Sequence, residues 1–159
     1  MNEKHTISCL VENHFGVLAR VAGLISARGF NIDSLTVSTT EDPTISRMTI
    51  VVDADAVKLE QVKRQLDRLI DVIDVNELTE GEFIDRELLL ARVKADGKAR
   101  AELERVAAQF GGKVANATDH SVVVEAAGDT KALDQLVERL RAHGIEKLVR
   151  TGRVALEKS

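Results

Sequence analysis

The sequence predicts an α+β chain made of two βαββαβ units in tandem. Three observations carry this. Over the first 80 residues the hydrophobic period switches in the order strand, helix, strand, strand, helix, strand. The same order begins again at residue 86. Between the two lies a Gly81-Glu82 turn across which the charge balance shifts, from 8 Lys+Arg against 13 Asp+Glu to 14 against 13. Length alone would favour one domain, since a typical domain takes ~100–200 residues; the repeated order overrides that prior.

The elements follow from local pattern. His5-Thr6-Ile7-Ser8-Cys9-Leu10-Val11 alternates, with Ile7, Cys9 and Val11 on one face, so it is a half-buried strand. Glu12-Asn13-His14-Phe15-Gly16 is a turn-and-cap cluster. Leu18, Val21, Ala22 and Ile25 make a helical stripe, closed by Arg28 and a Gly29 stop. Residues 31–39 form a strand in which Ile32 is out of phase with Leu35 and Val37, which places a bulge near Asp33-Ser34. Thr40-Glu41-Asp42-Pro43 is a hairpin loop holding the chain's single proline, and 45–52 is strongly β-forming. Leu59, Val62, Leu66 and Leu69 form the second helical stripe, and a fourth strand runs from Val72 to about Leu78.

The second half repeats the plan without repeating the motifs. Residues 86–95 form a strand, and Leu103, Val106, Ala107 and Phe110 a helix stopped by Gly111-Gly112. Lys113–Thr118 and Ser121–Ala126 are strands joined at Asp119-His120. Leu133, Leu136, Val137 and Leu140 mark the last helix, and a strand at 145–150 is followed by a further one at 153–156. Each half is thus a ferredoxin-like unit, 1–80 and 81–159. Units of ~80 residues are marginal alone, and with helices on one sheet face only, the other face or an edge strand offers a surface for dimerisation.

Composition excludes several functions. The chain has four Phe and no Tyr or Trp, too few aromatic platforms for stacking single-stranded bases or caging a quaternary ammonium group. A net charge of -4 argues against a phosphate-backbone binder. The lone Cys9 excludes an internal disulfide and a cysteine-built zinc cluster and suits a reducing cytoplasm. The polar N-terminus and the lack of an apolar run near ~18 residues point away from a signal peptide or membrane span, so the chain reads as cytoplasmic.

No catalytic set is apparent. His5, His14, His120 and His143 show no metalloprotease spacing, and neither a Walker loop nor Gly-x-Gly-x-x-Gly occurs. Cys9 lies mid-strand on the apolar face as a small hydrophobe, and Asp53 and Asp55 flank a strand end as turn residues. The informative residues are Asn13-His14-Phe15-Gly16 before the first helix and Gly29-Phe30-Asn31-Ile32 after it. A helix N-terminus with its unpaired amides receives a carboxylate, and Gly16 allows close approach to the backbone. Asn13 can donate and accept, which suits a zwitterion. The alternative from spacing alone is that Asn13 is an N-cap, Gly29 a C-cap and Asn31 a turn residue.

The element order plus Asn13-x-x-Gly16 resembles an ACT domain, the amino-acid-sensing ferredoxin-like module. A longer set narrows the likeness: Val17-Leu18-Ala19-Arg20-Val21, Arg28-Gly29-Phe30-Asn31-Ile32-Asp33-Ser34-Leu35-Thr36-Val37 and Asp42-Pro43-Thr44-Ile45-Ser46-Arg47-Met48-Thr49-Ile50, extended by Leu69-Ile70-Asp71-Val72 and Arg86-Glu87-Leu88. Together these resemble the regulatory (small) subunits of acetolactate synthase, also called acetohydroxyacid synthase. The C-terminal half matches in plan more than in motif.

The resemblance implies a non-catalytic chain, without cofactors of its own, that binds a large catalytic subunit carrying thiamine diphosphate, a divalent metal and FAD. That enzyme condenses pyruvate with pyruvate or 2-oxobutyrate on the route to valine, leucine and isoleucine. The small subunit raises its activity and confers feedback inhibition, usually by valine. Effector sites in the family lie between ACT domains of two chains, implying a homodimer. Here the corresponding residues are Asn13, Gly16 and Asn31, with backbone amides of His14 and Phe15 beside them. Leu35 and Val37 are expected to enclose the isopropyl group.

Pro43, Arg47 and Met48 are a candidate surface for the catalytic subunit, Arg47 being a common type of interface anchor; the alternative is an ordinary hairpin. Two further readings compete. A free-standing ACT sensor of another enzyme or a transcription factor shares the ligand site without needing the 42–50 segment. An acylphosphatase-like hydrolase needs an arginine in the loop after the first strand, and residues 12–16 contain none.

Overall fold

The structure, a computed structural model, describes residues 3–78 and 80–159. The chain divides into two compact units, one running up to Ile84 and including Ala155–Ser159, the other spanning Asp85–Val154.

The first unit is built from β1 (Glu3–Glu12), α1 (Val17–Ala27), β2 (Asn31–Thr39), β3 (Ile45–Ala54), α2 (Ala56–Asp67) and β4 (Val72–Leu78). Its sheet has the order β2-β3-β1-β4 with all neighbours antiparallel. Alternation along β1 turns Ile7, Cys9 and Val11 to one face, where the register sets Ile7 opposite Ile50 and Cys9 opposite Met48. Val21 and Ile25 of α1 and Leu59, Val62 and Leu66 of α2 close over that face in one core. The register of β2 slips between Ile32 and Ser34, the bulge that the out-of-phase Ile32 predicts.

The helical stripe of α1 differs from expectation. Val17, Val21 and Ile25 are buried, while Leu18 is 47% exposed and Ala22 only half-buried. The chain enters α1 through Gly16 at φ 83, a left-handed step that directs the first helical residue inward. The stripe therefore runs i, i+4, i+8 from Val17. At its other end Gly29, at φ 76, follows the C-cap Arg28, and their amides donate to Ser26 and Ile25 carbonyls. Asp55 caps α2, its side chain accepting from the Lys58 amide at 2.8 Å.

The second unit repeats the order with α3 (Ala99–Gln109), β6 (Lys113–Ala117), β7 (Ser121–Gly128), α4 (Thr130–Arg141) and β8 (Ile145–Arg150) after β5 (Phe83–Lys94). Its strands are ordered β6-β7-β5-β8, and a last short strand, β9, covers Val154–Glu157. Leu89, Ala91 and Val93 of β5 pack under Leu103, Val106, Leu133, Leu136 and Leu140. α3 ends in a Schellman arrangement: the Gly112 amide bonds the Ala107 carbonyl and Gly111 that of Ala108. Arg150 bridges the buried Glu87 (2.8 Å) to Asp134 on α4 (2.6 Å). Among the described residues no helix is long and apolar enough to cross a membrane.

Candidate functional site

The loop between β1 and α1 is held at several points. The Glu12 amide donates to the Asp71 carbonyl at 2.8 Å, and the Asn13 amide to Thr44 O at 2.8 Å. Asn13 is not the helix cap: Gly16 occupies that position with no side-chain cap bond. Instead Asn13 Nδ2 donates to Pro43 O at 3.0 Å. The side chain thus joins the loop to the β2–β3 hairpin rather than serving α1, because the cap position falls on Gly16, three residues on, and helical dihedrals begin only at Val17. The His14 amide donates to the Glu12 carbonyl at 3.2 Å.

Beneath the loop sits a charged cluster. Asp71, 6% exposed, pairs through Oδ2 with Arg20 Nη2 and through Oδ1 with His14 Nε2 at 2.8 Å. His14 Nε2 also lies 3.1 Å from Glu12 Oε2, and its Nδ1 is 3.3 Å from the Phe15 carbonyl. These contacts, the Phe15 carbonyl first and Glu12 second, raise the His14 pKa above its ordinary 6.5 against a smaller desolvation effect. Glu12, His14 and Asp71 bring three ligand atoms within 4.8 Å of one another. Arg20 already offsets Asp71, so the charge left over is that of one carboxylate, which a single proton on His14 balances. The Phe15 side chain points to solvent, fully exposed.

Asn31 lies elsewhere. α1 has 11 residues, which at ~1.5 Å per residue separates its ends by about 16 Å. Asn13 precedes the helix and Asn31 follows it, so within one chain they are at opposite ends. Asn31 opens the edge strand β2 opposite Asp53, exposed, with Nδ2 donating to Asp33 Oδ1 at 3.3 Å. Asp53 Oδ1 is buried and, among the described residues, lacks a hydrogen-bond partner. Leu35 and Val37 pair with Ile50 and Met48 and so share the helix-covered face. Leu35 packs on the core, while Val37 is 41% exposed at the sheet's edge.

The hairpin is tied by Asp42, whose Oδ1 accepts from the Thr44 amide (2.9 Å) and hydroxyl (2.7 Å); those bonds lower its pKa. Pro43 is exposed at the tip. Arg47 is half-buried and lies across the other sheet face, donating to Ser8 Oγ at 2.6 Å. Met48, expected on a partner surface, is 1% exposed and belongs to the core. Strand alternation puts it opposite to Arg47, so it offers no side-chain surface. The Arg20–Asp71–His14 cluster was not legible in sequence. Its members lie up to 57 positions apart.

The first unit therefore has an ACT-type plan: an antiparallel βαββαβ layer with a glycine-entered helix after β1. Residues 7–74 match the family described as the AHAS small subunit-like ACT domain, and residues 86–159 match the small subunit of acetolactate synthase. The chain is 47% identical over 153 residues to a probable acetolactate synthase small subunit of Archaeoglobus fulgidus, covering 96% of each. It is 41% identical over 156 residues to the acetolactate synthase small subunit of Haemophilus influenzae, covering 98% of this chain and 96% of that one. The crystal structure of the small subunit from Thermotoga maritima superposes with a TM-score of 0.90 at 31% identity, over 99% of this chain and 98% of that one. The chain belongs to the acetolactate synthase small-subunit family.

Proposed function

We propose that this chain is the regulatory subunit of an acetolactate synthase. It binds the catalytic subunit, which keeps the thiamine diphosphate, metal and FAD, raises its activity and subjects it to feedback inhibition by valine. Two copies pair through their ACT domains. The β1–α1 loop of one copy, Asn13 to Gly16, takes the carboxylate, and Asn31 of the other takes the ammonium group. Leu35 and Val37 border the isopropyl group.

The observation that carries this reading is the position of Asn13. Its side chain joins the candidate ligand loop to the hairpin at Pro43, the candidate surface for the catalytic subunit. A ligand drawing on the loop thereby pulls on that surface. Valine is distinguished from leucine or isoleucine by about one methylene, worth only ~1–3 kcal/mol in an apolar pocket.

The test is reconstitution with the catalytic subunit of the same organism. Addition of this chain raises the rate of acetolactate formation, and valine then lowers it. A chain that changes neither the rate nor the valine response overturns the reading.

A further inference from the structure

We propose that His14 is a pH-operated latch on the β1–α1 loop, closed onto Asp71 and Glu12 when its ring is an imidazolium and open when it is neutral. The latch itself stands on the geometry of the loop; its effect on effector binding rests on the function proposed above.

Both ring nitrogens of His14 face oxygen acceptors. Nδ1 is 3.3 Å from the Phe15 carbonyl, and Nε2 is 2.8 Å from Asp71 Oδ1 and 3.1 Å from Glu12 Oε2. A neutral imidazole has one N–H and so satisfies one side, leaving the lone pair on the other aimed at an oxygen. Only the imidazolium donates on both sides. The charged groups facing the ring are Glu12 from the end of β1, Asp71 from the turn before β4 and Arg20 from α1. Two carboxylates and one guanidinium leave one negative charge, which the ring proton balances. The opposing feature is the positive N-terminal end of α1.

The parts of the latch differ in mobility. The Asp71 side chain is 8% exposed and pinned by Arg20, whereas that of His14 is 48% exposed. When the pair breaks, His14 and its loop move and Asp71 stays. A raised His14 pKa means that the latch contributes in full below the ordinary value of 6.5 and is lost as pH rises through the higher folded value. Because Asn13 is bonded to Thr44 and Pro43, opening the loop also loosens its hold on the hairpin. Valine binding should therefore weaken on the alkaline side of the His14 titration.

The full chain is titrated by NMR at the His14 ring, and exchange of the loop amides at Asn13 to Gly16 is measured at the same pH values after correction for intrinsic rates. Expected is a loss of loop protection by a factor of several, in step with the ring titration. His14→Gln abolishes this step, and Glu12→Gln moves it to lower pH. Loop protection without a pH step, or a step that persists in His14→Gln, overturns the latch. Valine titration of the reconstituted enzyme is the second readout: inhibition weakens with pH in the native chain and keeps a flat profile in His14→Gln. A loop step with a valine response that ignores it overturns the regulatory half of the proposal. A loop step with no valine response at any pH sustains the latch and refutes the effector reading.

Discussion

Removing Arg20 should destabilise the first unit more than removing the charge of its buried partner Asp71. The two make one ion pair, but they differ in exposure: the Asp71 side chain is 8% exposed and that of Arg20 48%. In Asp71→Asn the guanidinium turns to water and recovers its hydration, and the amide oxygen can still accept from His14. That variant should cost about 1 kcal/mol, near the surface-pair range. In Arg20→Met a carboxylate stays buried with His14 as its remaining cationic neighbour, and the cost approaches the ~3–5 kcal/mol of a broken buried pair. Discounted for the half-exposed arginine, it should be ~2–3 kcal/mol. With Asp71→Asn in place, Arg20→Met should cost little more, so the double-mutant cycle should give a coupling near ~2 kcal/mol. The assay is urea unfolding followed by circular dichroism, because the chain has no Trp or Tyr for fluorescence. Equal costs for the two single variants, or a cycle that closes to zero, would refute the argument.

Other outcomes follow from single positions. At Gly112 an added Cβ would lie 2.3 Å from the Glu125 carbonyl and 2.9 Å from Ala126 Cβ, whereas at Gly111, φ 71, it would meet open space. Gly111→Ala should cost the ~1–2 kcal/mol of a left-handed alanine and Gly112→Ala more, because the clash is with sheet backbone; thermal melts that rank them in reverse would reject this. Cys9 is buried, and desolvation pushes its thiol up to about 12, so at pH 8 a thiol reagent should react only after denaturant is added. Asn31→Ala should weaken valine inhibition and spare activation, whereas Asn13→Ala should alter both, since it also cuts the link to Pro43; steady-state assays of the reconstituted enzyme separate the two.

The elements were legible because most of them state their period plainly. The stripe Leu133, Leu136, Val137, Leu140 and the alternation Ile7, Cys9, Val11 each allow one buried face, and all these residues are buried. α1 was harder. Val17 and Leu18 are adjacent apolar residues at a helix start, and only the left-handed entry at Gly16 decides which turns inward. Asn13 illustrates a limit of another kind. An Asn four residues before the first turn of a helix fits a cap or a ligand contact equally well by spacing. Its actual partner, a carbonyl 30 residues away in sequence, is set by the antiparallel pairing of β1 with β3. The His14–Asp71 contact likewise depends on β1 and β4 being neighbours, which no local pattern encodes.

The separation across α1 makes the proposed effector site testable without a second structure. A valine molecule is far shorter than the about 16 Å between the ends of an 11-residue helix, so Asn13 and Asn31 of one copy cannot hold the same ligand. In the two-fold pair proposed above, each site would take Asn13 from one copy and Asn31 from the other. Chains carrying Asn13→Ala alone have two damaged sites per pair, and so do chains carrying Asn31→Ala alone. When the two variants are mixed and allowed to exchange, half of the pairs are mixed, and in each of these one site has lost both residues while the other is intact. Roughly a quarter of all sites should therefore regain native valine affinity, as isologous pairing requires. Calorimetry on the mixture should show this high-affinity fraction, absent from either variant alone. If it does not appear although exchange is demonstrated by a tagged copy, the ligand is not shared in this way and the assignment of Asn13 and Asn31 to one site falls.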